Sequence, residues 1–173
     1  MDFARENVDV EIRWGCKPSP GLRVDPLLEA TRFPVASPAL LKNGPALRHP
    51  DDLKHFTLLH DNCGNDWARW LELAGAGFEV TIKGPRFAHC DLLLSAAAEG
   101  LGVALAFDVL VAGDLASGRL VSPFDLKLPP SIIYSVVTPE AWSNRAKIAA
   151  FRNWLLLETG MGKRSQRHSL VAA

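Results

Sequence analysis

With 173 residues, 48% of them hydrophobic and 22% charged, the chain has enough apolar material for one ordinary domain or two small lobes around a sizeable core. Nineteen basic side chains balance nineteen acidic ones, which removes the net field that draws a protein to a polyanion such as DNA. No apolar run approaches the ~20 residues of a membrane helix, the amino terminus lacks the basic start and apolar stretch of a secretion signal, and three cysteines without repeated spacing argue against a disulfide framework.

In chain order, residues 2–6 read as the last turns of a helix, and Val8-Asp9-Val10-Glu11-Ile12 alternates as a half-buried strand does. Arg13-Trp14-Gly15 closes that strand, and Pro18 and Pro20 keep residues 16–21 irregular. Residues 22–35 hold another strand, centred near 27–31 or later, its start obscured by Pro26. Pro34 and Pro38 mark a joint, with Ser37 capping a short helix that begins at Pro38. One helical turn at residues 50–53 precedes a strand at residues 56–59, which runs into His60-Asp61-Asn62-Cys63-Gly64. Asn65 or Asp66 then starts a helix with Trp67, Trp70, Leu71 and Ala74 on one face and Gly75 at its exit. Residues 79–82 read as a brief strand.

The stretch 84–107 is the centre of the pattern: loop, helix, glycine turn, buried strand. Asp91 caps or charge-complements a helix whose Leu92, Leu93, Ala96 and Ala97 predict one buried face; Gly100 and Gly102 end it, and the apolar run 103–107 suits a strand covered on both faces. A helix at 109–116 follows, opened by Asp108 and closed by Gly118, then a short strand at Leu120-Val121. The β-branched run 132–137 is a further strand. In the final helix, Ala146, Ala149, Ala150, Trp154 and Leu157 predict the buried stripe, widened by Phe151 and Leu155, and the tail 161–173 reads as disordered.

Strands alternating with helices of ~10 residues predict an α/β protein with a mostly parallel sheet. Right-handed crossovers then place the His60 loop and the Phe87 loop on one carboxyl edge, where such sheets bind small ligands.

Several segments, in order, resemble the effector-binding domain of LysR-type transcriptional regulators: Val8-Asp9-Val10-Glu11-Ile12-Arg13-Trp14-Gly15, Pro34-Val35-Ala36-Ser37-Pro38-Ala39-Leu40, Leu58-Leu59-His60-Asp61 and Trp67-Ala68-Arg69-Trp70-Leu71. Gly84-Pro85-Arg86-Phe87, the run Ala97 to Leu105, Gly118-Arg119-Leu120-Val121-Ser122-Pro123-Phe124 and Phe151-Arg152-Asn153-Trp154-Leu155 continue the pattern, which is most similar to the branch of glycine-cleavage activators and β-lactamase-gene regulators. The resemblance implies a periplasmic-binding-protein-like (type 2) fold with two Rossmann-like lobes, the first incomplete. The first lobe would comprise residues 1–36 with 139–160 and the second 37–138. It also implies that Met1 begins a truncated frame without the winged helix-turn-helix.

Carried over residue by residue, the resemblance implies that a small-molecule effector in the interlobe cleft touches Trp14 and Gly15, His60 and Asp61, Phe87, Ala88 and His89, and Tyr134. Each has a plainer reading: Trp14 packs between lobes, Phe87 and Tyr134 belong to the core, and His89 is a local cap. His60, Cys63, His89 and Cys90 offer a zinc- or copper-type donor set, but adjacent ligands rarely reach one tetrahedral ion. A Cys63–His60 nucleophilic pair lacks an orienting group.

The expectation is therefore a cytoplasmic ligand-sensing module, not an enzyme, without cofactor or catalytic metal. Its expected partners are a small-molecule effector and further copies in a homodimer or homotetramer, with DNA met only through a domain absent from this chain and no membrane. The alternatives are a stand-alone small-molecule-binding protein and a thiol- or metal-dependent enzyme.

Overall fold

The computed structural model describes residues 3, 7–15, 18–62, 66–77 and 84–160. The expected strand at 79–82, most of the opening helical turns, Cys16, Cys63 and the tail 161–173 lie outside the described residues. The chain divides into two units, Met1–Ala30 with Ser131–Ala173, and Thr31–Pro130.

In the first unit, β1 (Glu11–Trp14) and β2 (Leu22–Ala30) flank β7 (Ser131–Pro139) in the order β1-β7-β2, and both pairings are antiparallel. Pro26 sits inside β2 rather than before it. An edge strand tolerates the missing donor there, and the ladder shifts register between Pro26 and Leu28 and again before Glu29. Helix α5 (Ala146–Glu158) turns Ile148 and Arg152 inward. This corrects the expected stripe, because Phe151, Trp154 and Leu157 are exposed. The buried face is instead set by Ile148 and by the guanidinium of Arg152, which donates to the carbonyl of Ser143 at 3.0 Å.

In the second unit, β3 (Arg32–Val35), β4 (Leu58–Asp61), β5 (Arg86–Phe87) and β6 (Val103–Phe107) form a sheet in the order β3-β6-β4-β5. Strand β6 runs parallel to β4, as does β5, while β3 is antiparallel to β6. The first sheet is thus antiparallel throughout and the second mixed, where a mostly parallel sheet was expected.

The single strand expected over residues 22–35 is two strands in two sheets. They separate at Thr31, whose backbone N–H and hydroxyl both donate to the carboxylate of Asp108, at 3.3 and 2.9 Å. Because β3 pairs with β6, and β7 with β1 and β2, the units divide at Ala30/Thr31 and Pro130/Ser131, earlier in each case than the expected 36/37 and 138/139.

Helix α1 (Pro38–Asn43) begins as read, with Ser37 Oγ accepting from the Leu40 N–H at 3.2 Å. Helix α2 (Asp66–Leu73) buries Trp67, Trp70 and Leu71 against Leu58, Val103 and Leu105 on one side of the sheet. Both indoles are satisfied, Trp67 donating to the Leu59 carbonyl at 2.9 Å and Trp70 to that of Leu126 at 3.1 Å. On the other side, α3 (Cys90–Ala98) and α4 (Asp108–Ala116) pack on Phe33, Val35, Leu59, Ala104 and Ala106. Leu94, not Leu92, completes the buried face of α3, because the sheet packs against the side that carries Leu93, Leu94, Ala96 and Ala97 and leaves Leu92 exposed. Leu120-Val121 forms only a bridge to Ala36.

Candidate functional site

The sheet of the second unit sets the site. Strands β4 and β5 run parallel, with His60 opposite Arg86 and Asp61 opposite Phe87, so the chain leaves both from one carboxyl edge. Phe87, the last residue of β5, is half-buried against the core, whereas Ala88 and His89 beyond it are exposed. His89 is the N-cap residue of α3, in extended backbone geometry, and its side chain makes no capping bond. The imidazole and the first-turn N–H groups of α3 therefore stand at the edge, and Asp91 in that turn complements the helix dipole.

His60 and Asp61 turn inward instead. His60 is 7% exposed, and its Nε2 has no hydrogen-bond partner. Burial, and then the nearby charge of Arg86, holds its pKa below the ordinary histidine value against the opposing pull of Asp61.

Asp61 is held from below by Arg32, whose Nη2 donates to its Oδ2 at 2.7 Å. The other guanidinium nitrogen, Nη1, pairs with Asp66 at the start of α2, and the guanidinium carbon lies 3.8 Å from the Phe107 ring centroid. The void among these groups and Trp67 measures about 10 Å³, room for a water at most and not for a metabolite. His60 is thus desolvated, and Asp61 has an ion-pair partner in Arg32.

Arg32 and Asp66 organise this edge, and sequence reasoning passed over the arginine. Its one signal was a charged residue opening a short run, Arg32-Phe33-Pro34-Val35, in which every residue is buried. A buried arginine needs a counter-charge, and Asp61 and Asp66 supply two.

In the first unit, Trp14 of β1 lies opposite Tyr134 of β7, and their rings meet edge to face at 5.1 Å and 85°. Trp14 is 40% exposed, and Gly15 follows it with φ +56°, a left-handed turn that leaves open space beyond its α-carbon. The cross-strand register thus brings Trp14 and Tyr134 together, with Gly15 next in the chain. Cys63 lies outside the described residues, and among those described no three His, Cys, Asp or Glu side chains converge as metal ligands. No helix of the described residues is long and apolar enough to cross a membrane.

The chain is similar to the glycine cleavage system transcriptional activator of Escherichia coli (strain K12), 39% identical over 155 residues covering 90% of this chain and 51% of that protein. It is also similar to the HTH-type transcriptional activator AmpR of Rhodobacter capsulatus, 31% identical over 90% of this chain and 52% of that protein. The chain thus spans about half the length of the curated relatives it matches.

Among solved structures, the effector domain of the transcriptional regulator AmpR of Pseudomonas aeruginosa superposes with a TM-score of 0.78 at 28% identity, covering 96% of this chain and 79% of that one. The regulatory domain of CrgA from Neisseria meningitidis, at 20% identity and a TM-score of 0.70, shares the fold. The LysR substrate binding domain profile matches residues 1–159, and the chain belongs to that family, with its periplasmic-binding-protein-like type 2 fold.

Proposed function

We propose that this chain is the effector-sensing part of a LysR-type transcriptional regulator. It binds a small metabolite without transforming it, and it acts on DNA only through a domain outside residues 1–173, in a homodimer or homotetramer. The observation that carries the reading is the parallel edge of β4 and β5. It presents exposed Ala88 and His89 and half-buried Phe87 at the amino end of α3, in a chain matched by the family over residues 1–159. The inward-facing Arg32–Asp61–Asp66 cluster is the rigid floor under that edge rather than part of the contact surface. Trp14 and Tyr134 form a second, aromatic contact surface on the first unit. Signalling follows only if the effector binds one arrangement of the protein more tightly than another, so binding and conformational change are measured together.

The test is a thermal-shift screen of the full chain against amino acids and cell-wall fragments, followed by calorimetry on any hit. A hit that raises Tm, and that weakens at least tenfold with His89→Ala, supports the reading. A folded chain that stays silent while a full-length relative responds on the same plate removes it.

A further inference from the structure

His60 stands where an added proton finds no acceptor. Its side chain is buried, and Nε2 has no hydrogen-bond partner among the described residues. The ring lies against the segment that leads into β5: a Cβ at Gly84 would stand 3.1 Å from its Cδ2 and 3.3 Å from its Nε2, and the backbone N–H of His60 donates to the Pro85 carbonyl at 3.0 Å. Gly84 thus lets the chain close over the imidazole with no side chain between them.

The charges around the ring leave an imidazolium uncompensated. Arg86 stands opposite it in the β4–β5 register, Asp61 follows it in β4, and Arg32 of β3 and Asp66 of α2 line the same small void. Arg32 already engages both carboxylates, and Asp66 also accepts from Arg69 at 3.2 Å. Strand β6 lines the void with Leu105, and the residues that α3 buries, Leu93, Leu94, Ala96 and Ala97, are apolar. Arg32 and Arg86 therefore balance Asp61 and Asp66 before His60 binds a proton, and the proton adds a desolvated charge beside Arg86. The route to water is through β5. It is the edge strand, two residues long, and Pro85, Arg86 and Ala88 along it are exposed, whereas β6 on the other side of β4 is buried throughout.

We propose that His60 is a proton-operated latch on the β4–β5 edge: the neutral ring allows residues 84–87 to close over it, and the imidazolium drives that segment off, carrying Phe87, Ala88 and His89 out of the closed edge. Acid then loosens the effector surface, and a ligand that needs the closed edge lowers the proton affinity of His60 by the same factor. That consequence rests on the effector reading; the opening itself does not.

Amide hydrogen exchange of the full chain between pH 7.5 and 5, corrected for the intrinsic rate at each pH, reads the edge without any ligand. The His60 amide, bonded to Pro85, reports the β4–β5 side, and the Val103 amide, bonded to the Thr57 carbonyl at 2.9 Å, reports the β4–β6 side. One proton shifts an opening by at most about tenfold per pH unit, so the His60 protection factor is expected to fall about fivefold between about pH 7 and 5.5 while that of Val103 holds. In His60→Gln the amide at position 60 is expected to stay level. Proton NMR of the wild-type imidazoles, which needs no variant, is expected to place the opening at the titration of the His60 ring and not at that of His89. A His60 amide with constant protection overturns the proposal, as does one that falls in step with Val103, a fall that persists in His60→Gln, or a fall that follows His89. A chain that opens as expected while no amino acid or cell-wall fragment binds it upholds the latch and removes only the effector reading.

Discussion

Arg32 and Asp61 are paired at 2.7 Å with side chains only 6 and 9% exposed, across the carboxyl end of the second unit's sheet. Removing one member of such a pair strands a charge where water cannot reach it, which costs about 3–5 kcal/mol. Arg32→Met is expected to lose about that much, because it frees both Asp61 and Asp66 and removes the stack on Phe107. Asp61→Asn should lose less, since Asp66 still neutralises the guanidinium. Urea unfolding followed by tryptophan fluorescence measures both; an Arg32→Met chain as stable as wild type would contradict the assignment.

His60 makes stability sensitive to acid. Its folded-state pKa lies below the ordinary value, so the unfolded chain binds the proton first as pH falls. Above about pH 6.5 the group is neutral in both states and contributes no slope. Below that, stability is lost progressively until the folded-state pKa is passed. His60→Gln is expected to flatten this limb, and unfolding midpoints at a series of pH values between 7.5 and 5 give the slope. An unchanged slope would mean that other groups carry it.

Two glycines are places where no side chain fits. A Cβ at Gly84 would stand 2.1 Å from the carbonyl oxygen of Leu58, the first residue of β4, and one at Gly102 would stand 2.2 Å from that of Thr57, just before it. Gly84→Ala and Gly102→Ala are each expected to cost upward of about 2 kcal/mol by pushing strands apart. Gly113 lies within α4 with nothing near its missing Cβ, and there alanine should add about 0.5–1 kcal/mol. Thermal denaturation of the three variants checks the order.

The Trp14–Tyr134 contact should appear as a coupling of about 1 kcal/mol in a double-mutant cycle of Trp14→Ala and Tyr134→Ala, read by chemical denaturation. Additive single effects would show that the rings meet without holding β1 to β7.

His89 is exposed and makes no capping bond, so His89→Ala is expected to leave stability within about 0.5 kcal/mol while weakening the effector. A large stability loss would return the residue to a structural role.

Local chemistry determined a good deal of this protein from sequence alone. Ser37 before Pro38 specified a capped helix start, Gly75 and Gly100 specified left-handed helix exits, and the apolar run Val103–Phe107 specified a strand buried on both faces. The parallel placement of the His60 and Phe87 loops followed from the alternation of strands and helices.

The tertiary structure decided what depends on partners far along the chain. Residues 22–35 divide into two sheets because Asp108, 77 positions from Thr31, grips the backbone at the break. Arg32 is buried because Asp61 and Asp66 neutralise it from two other elements, and Asp61 turns inward for the same reason. Helix α5 shows the limit most directly: its apolar residues occupy two faces, and periodicity marks both alike. Which one is buried depends on what the rest of the fold places against it, and here Ile148 faces inward while Trp154 faces out.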